Sequence, residues 1–373
     1  MRGLFWLAVL GCMYSYALYP LLLRLVPVRP RCRVLQQGVP RVSLIIACRN
    51  EARRLHHKLD NALALDYPDL EILVCSDASD DDSDAIVAGY AARGVRLVRS
   101  AERRGKEYAQ GLAIAAASGE ILVFSDAGTD LPRESIRFIA EDLSDPTIGA
   151  VSSEDRFISA DGSVVGEGAY VKYEMWLRRL ESERAGLVGL SGSFFAIRRS
   201  ILNGWDAGMP SDFACALQAV RAGARAISDP RVLGIYRDIK DPDKEYARKI
   251  RTAVRGMTAL AKLREVLNPG RYGWFSFQVW GHKLMRWMVP WFMFLLLVSS
   301  AWLAPQGYFY AAVLVLQVSG YALIAVSYRV PALQRFMPLR LACFFVQVNL
   351  ALAAAGLAFL RGRRIVTWEP SAR

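Results

Sequence analysis

Residues 4–23 are apolar or aromatic throughout apart from Ser15 and Pro20, a run about long enough to cross the hydrocarbon core of a bilayer as a helix. As a signal peptide it would have an overlong apolar region, and no small-x-small cleavage site closes it, so an anchor over residues 1–24 is the expectation. Arg24, Arg29, Arg31 and Arg33 follow at once, which by the positive-inside rule places the next part of the chain in the cytoplasm. Pro27, Pro30 and Pro40 make residues 25–41 a basic linker. Apolar runs return at 289–304, 308–328 and 341–360. Three full crossings there would carry Arg361, Arg363 and Arg364 to the far side, against the same rule. Either the short first run is re-entrant or the C-terminus is an exception. Ahead of them, residues 268–288 carry Trp274, Trp280 and Trp287 with His282, Lys283 and Arg286, the mixture of an interfacial segment. Residues 289–361 are expected to hold the C-terminal membrane helices, and 362–373 a tail.

This patterning explains a hydrophobic content of 53% and decides how the formal charge of +12 is read. Such a charge suits nucleic acid, a membrane surface or a phosphorylated substrate. Arginines clustered beside apolar runs favour the membrane, and no nucleic-acid partner is expected. The six cysteines are scattered without a CxxC pair, as expected of reduced thiols.

Between the apolar ends, short β-favouring runs alternate with helical patterns. VSLIIAC at 42–48, LEILVC at 70–75, residues 95–98 and ILVF at 121–124 read as strands buried on both faces. Helices are expected from Arg49 to about Leu65, after Ser83 to about Ala92, and from Gly105 to Ala117. This alternation predicts a parallel sheet with right-handed crossovers, a doubly wound Rossmann-like half domain. Residues 148–153 and 194–197 offer further strands. Helices are expected from Pro132 to about Leu143, over 168–185, after Ser211-Asp212 as a cap, and over about 243–266. No GxGxxG follows the first strand, which argues against a dinucleotide site.

Ligands of open α/β sheets bind beyond the carboxyl ends of the strands, and this chain collects acids there. The fourth strand runs straight into Ser125-Asp126-Ala127-Gly128-Thr129-Asp130, and the second into Ser76-Asp77. Lys106, with Arg103 and Arg104 around Gly105, precedes a helix, where cations and amides suit a diphosphate; Arg103 and Arg104 suit a solvated surface equally well. Asp212 stands at a helix start, a place for either a cap or a base. Arg248, Arg251 and Arg255 share one helix face, able to meet a diphosphate or lipid headgroups.

In order and spacing, VSLIIACRNEA, YPDLEILVCSDASDDDS and RGKEYAQGLAIAAASGEILVFSDAGTD resemble the donor half of family 2 glycosyltransferases. The resemblance covers roughly residues 42–266, and GHKLMRWMVPW with the terminal WEPSAR looks like the membrane-bound branch that builds bacterial cell-surface polysaccharides. It implies a GT-A catalytic domain over 42–267 between N- and C-terminal transmembrane helices. It further implies that Asp77 meets the nucleotide base, that Lys106 and Arg251, with Arg248 in the family's Gln position, meet the diphosphate, and that Asp126 holds Mg²⁺ or Mn²⁺. Asp212 becomes the catalytic base. Three positions depart from the pattern: Gly128 at the second acid of Asp-x-Asp, for which Asp130 is a possible substitute, Ser211 in the acidic pair, and Thr252 where the family carries Trp.

The expected protein is a multi-pass enzyme of the bacterial inner membrane with its catalytic domain in the cytoplasm. It would be an inverting glycosyltransferase moving sugar from a nucleotide-sugar donor to a lipid-linked or polysaccharide acceptor, in contact with membrane lipids. A catalytically silent scaffold of a polysaccharide-synthesis complex is the alternative that the three departures raise, and a nucleotidyltransferase acting on a membrane lipid is another.

Overall fold

The computed structural model describes residues 1–32, 38–158, 169–202, 204–237 and 242–363. Arg33, position 168 and residues 364–373 of the tail lie outside them. The chain divides into two compact units: one joins residues 26–240 to 258–278, and the other joins residues 1–25 and 241–257 to 279–364.

The first unit is built on a seven-stranded sheet, β1 (Val42–Cys48), β2 (Leu70–Ser76), β3 (Val95–Arg99), β4 (Ile121–Asp126), β5 (Ile148–Ile158), β6 (Phe194–Arg198) and β7 (Arg225–Arg237), in the order β3-β2-β1-β4-β6-β5-β7. The strands read as apolar runs because both sheet faces are covered. Val42, Leu44 and Ile46 of β1 join Ile121 and Val123 of β4 in one core, with Leu55, Leu59 and Ala62 of the helix Ala52–Leu63. Ile45 and Ala47 point the other way with Leu122 and Phe124, against Ala109 and Ala113 of the helix Lys106–Ala116.

The parallel expectation for the first four strands holds in β3-β2-β1-β4; beyond them β6 runs antiparallel to both β4 and β5, so the whole sheet is mixed. A one-strand pattern records which faces are buried and not the direction of the neighbour, so Phe194–Arg198 reads the same either way. β7 was not expected at all. Its Asp229-Pro230 interrupts the apolar pattern like a turn, yet the strand pairs parallel with β5 by absorbing register shifts between Ile148 and Ala150 and between Ser152 and Glu154. The helix read from Ser211-Asp212 has Pro210 as its N-cap, and Asp212 lies within the first turn of Ser211–Arg221.

Part of the linker is docked rather than loose. Arg31 pairs with Asp142 at 2.8 Å, the Cys32 amide donates to Asp145 at 2.6 Å, and Arg225 donates to the carbonyls of Arg29 and Pro30 at 2.8 and 2.9 Å.

Glu71 in β2 ties three segments together, accepting from Ser43 Oγ at 2.6 Å, Ser118 N and Oγ at 2.9 and 3.0 Å, and Arg96 Nη1 at 2.7 Å. Burial works to raise its pKa, but these donors outweigh it and hold the carboxyl below the ordinary 4.5. A carboxyl with a depressed folded-state pKa adds stability above its unfolded value and loses it as pH falls through the folded one. Glu71→Gln should therefore lower the denaturant midpoint at neutral pH, and its deficit against the parent should shrink once the pH is well below 4.5. A deficit that stays constant across that range would show that the charge contributes nothing.

In the second unit the N-terminal helix runs antiparallel to the helix over Trp274–Gln306, Ser15 Oγ donating to the Gly281 carbonyl at 3.1 Å and Gly11 facing Phe292, while Phe5 meets Tyr310 of the next helix with ring centroids 5.0 Å apart. Their approach depends on small residues, since a Cβ at Gly281 would fall 2.2 Å from the Tyr19 ring and one at Gly11 2.5 Å from Phe292. Among the described residues four helices are long and apolar enough to cross a membrane: Arg2–Leu23, Trp274–Gln306, Tyr308–Arg329 and Met337–Leu360. From Trp274 on, the segment read as interfacial is continuous, through a π-turn at Trp280–Leu284, with the helix Met285–Leu303.

Candidate active site

At the carboxyl end of β4, Asp126 hangs from the sheet by its own N–H, which donates to the Ser193 carbonyl at 3.0 Å. Its Oδ1 lies 2.5 Å from Lys106 Nζ, and the same ammonium donates to the Gly192 carbonyl at 3.1 Å. Burial alone would push the Lys106 pKa down, but Asp126 beside it, with Glu107 and Asp212, more than offsets this and keeps the ammonium charged. Asp126 keeps 23% of its side chain exposed, so it faces the opening while Lys106 sits behind it. Asp212 comes to the same place from the first turn of its helix, its Oδ2 3.2 Å from where a Gly192 Cβ would be. It is half-buried and held in place by its helix, and its carbonyl accepts from Leu190 N at 3.3 Å.

Asp77, at the end of β2, is 1% exposed. Its carboxylate accepts from Arg104 N at 2.8 Å and from Gly105 N at 3.0 Å. The loop amides expected to converge on a ligand therefore converge on Asp77, which sets the residue before Lys106. Gly105 has φ +101°, a conformation L side chains rarely adopt, and it turns the chain so that Lys106 begins its helix under β4. A line of contacts thus runs from Asp77 through Gly105 and Lys106 to Asp126 and to the Gly192 carbonyl, and the Asp212 carboxylate lies beside that glycine. Arg248 and Arg251 stand on the helix Pro242–Lys262, in the stretch 241–257 that belongs to the other unit, while this cluster is built wholly from the first.

Two polar residues that sequence reasoning passed over shape this cluster. Asp155 on β5 accepts from Ser191 Oγ at 2.6 Å and Ser193 Oγ at 2.7 Å, gripping both sides of the glycine that separates Lys106 from Asp212. No local pattern signals it. Lys58 is wholly buried, donating to Ser125 Oγ at 2.8 Å and to the Thr129 carbonyl, so it holds the turn that carries Asp126. Burial pulls its ammonium down to about 7, with Asp130 and Asp126 pulling the other way. Here a signal existed: Lys58 falls on the apolar face formed by Leu55, Leu59 and Ala62, where a lone lysine requires partners.

A divalent cation would find limited support from protein atoms. Among the described residues no three His, Cys, Asp or Glu side chains group to hold one. Gly128 offers no ligand, and Asp130 accepts from His57 Nε2 at 2.9 Å while its N–H bridges to the Ile235 carbonyl at 2.7 Å. On this turn Asp126 remains as a partly exposed carboxylate. That fits a hard cation arriving with a diphosphate and keeping most of its waters.

Gly192 is the closest packed point. A methyl group there would press on Asp212 Oδ2 at 3.2 Å, tighter than ordinary contact. Gly192→Ala should cost about 10–100-fold in turnover by displacing the carboxylate a few tenths of an ångström, with the fold intact by circular dichroism. Unchanged turnover would mean that Asp212 need not be held where it is.

Residues 43–205 match the family model for glycosyl transferase family 2. Two curated relatives are poly-beta-1,6-N-acetyl-D-glucosamine synthases. That of Staphylococcus epidermidis is 28% identical over 181 residues, 46% of this chain and 44% of the relative. That of Staphylococcus aureus is 27% identical over 176 residues, 45% of this chain and 42% of the relative. The match thus spans less than half the length of these curated relatives. Among solved structures, the mannosyltransferase PcManGT from Pyrobaculum calidifontis, in complex with GDP-Man and Mn²⁺, superposes with a TM-score of 0.75 at 25% identity, over 97% of this chain and 99% of that one. The fold is of the GT-A glycosyltransferase type.

Proposed function

Proceeding from the match of residues 43–205 to glycosyl transferase family 2, we propose that this chain is a membrane-anchored inverting glycosyltransferase of the bacterial inner membrane, its catalytic domain in the cytoplasm. It moves a sugar from a nucleotide-sugar donor to a hydroxyl of a lipid-linked or polysaccharide acceptor in cell-envelope or exopolysaccharide synthesis. The observation that carries this reading is the meeting of Asp126 and Asp212 across Gly192, with Lys106 between them. The poly-N-acetylglucosamine synthases among its relatives support the class of acceptor.

In this mechanism Asp212 takes the proton of the acceptor hydroxyl as its oxygen attacks the anomeric carbon in line. The bond from that carbon to the diphosphate oxygen breaks on the opposite face, and its electron pair leaves with the nucleoside diphosphate. Lys106, fixed against Asp126, meets the charge building on that leaving group. Asp77 orders the loop before Lys106 and is assigned to the nucleotide base. Asp126 would hold Mg²⁺ or Mn²⁺, which supplies further neutralisation of the diphosphate when bound. The experiment is to incubate the purified chain in lipid with radiolabelled nucleotide sugars. Label passing to extractable lipid or polymer, with free nucleoside diphosphate released, is the expected outcome. Binding without turnover for every donor, or nucleotide retained on the product, would overturn the reading.

A further inference from the structure

Where the family pattern has its second metal-binding acid, this chain has Gly128, and beside it the structure has a cation. Among the described residues, a Cβ at Gly128 would meet Arg54 Nη1 at 3.8 Å and nothing else within 4 Å. The backbone there is not in the left-handed region, so another side chain could stand at that position. Arg54 lies in the first turn of Ala52–Leu63, its side chain 31% exposed and its guanidinium braced by Glu51 Oε2 at 3.1 Å. A cation in a helix's first turn opposes the helix dipole, an arrangement that an anion bound beside it would relieve. The helix amide at Ala52 already donates to Asp81 at 3.1 Å, so such an anion would be met by the guanidinium rather than by that amide. Two residues back, Asp126 is occupied on Oδ1 by Lys106. The turn that would present two acids in an Asp-x-Asp site therefore has Lys106 at one end and Arg54 at the other.

We propose that Arg54 binds a non-bridging oxygen of the donor diphosphate, supplying directly the charge compensation that a second acid would recruit through a metal, so that nucleoside diphosphate binding at this cleft persists without divalent cation. The inference rests on the glycosyltransferase reading above. A guanidinium suits the role because its forked donors match phosphate geometry.

The test is calorimetric titration of the purified full chain in detergent with UDP and GDP, and with UMP and GMP, in Mn²⁺ and again in EDTA. The parent is expected to bind one diphosphate in EDTA. Arg54→Gln should weaken that binding about tenfold or more while shifting the matching monophosphate by less than about twofold, as expected for one charge-assisted contact to the outer phosphate. Gly128→Asp, which sets an acid against Arg54 in open space, should produce the same loss in EDTA and make binding depend steeply on Mn²⁺; it carries the test should Arg54→Gln fail to fold. Diphosphate binding by the parent that vanishes in EDTA, or variants that bind like the parent there, overturns the role of Arg54 and leaves the glycosyltransferase reading standing. A parent that binds none of the four nucleotides, with or without Mn²⁺, overturns both.

Discussion

Asp212→Asn is expected to lower turnover by about 10²–10⁴-fold, the range for loss of a positioned general base, while the donor's KM stays near that of the parent. The substitution is nearly isosteric and removes only the ability to take a proton. Fold effects should be small, since the side chain is half-buried and an acid in a helix's first turn contributes only about 0.3–1 kcal/mol through the dipole. Sugar transfer and thermal melting measured on the same preparation separate the two. A variant that keeps more than about a tenth of the rate, below the smallest loss expected of a missing base, would remove Asp212 from the chemistry. The cluster would then need another acceptor of the proton.

Lys106→Met should be the more damaging change overall, because it acts on both fold and chemistry. It strips the partner from Asp126 Oδ1 and leaves the Gly192 carbonyl without its ammonium donor. Breaking a buried ion pair by removing one member costs about 3–5 kcal/mol, and the partial exposure of Asp126 lets water recover some of that, so about 1–3 kcal/mol is expected. Turnover should fall by about 10²–10³-fold, with a raised donor KM, if the ammonium meets the leaving diphosphate. The double variant Lys106→Met with Asp126→Asn should lose less stability than the two single losses added together, because each removes the same contact. Simple additivity would mean that the 2.5 Å pair contributes nothing as a pair.

Much of this was readable along the chain. The apolar runs of β1, β2 and β4, the break from Phe124 into Ser125-Asp126, and the basic step into the helix at Lys106 are local features, each recording which side of a short segment meets water. The carboxylates at 77, 126 and 212 were legible as strand-end and helix-start acids, and the structure links the first two through one line of contacts and sets the third beside the glycine at its end. Asp77 illustrates the difference between finding a residue and knowing its partners. Its position follows from the end of β2, but its engagement by the Arg104 and Gly105 amides depends on how a loop almost thirty positions later returns to it.

By itself the sequence determined most of the elements, β7 excepted, and the types of chemical group available, because those follow from side-chain periodicity over a few residues. Tertiary structure alone decided that β6 runs against its neighbours, that β7 pairs across its Asp229-Pro230 break, and that Asp155 and Lys58 hold the loops bearing the acids. It also decided that Arg54 stands beside Gly128. These outcomes depend on closing long loops so that buried polar groups find partners, and a partner's identity is not written within the few residues around either member of the pair.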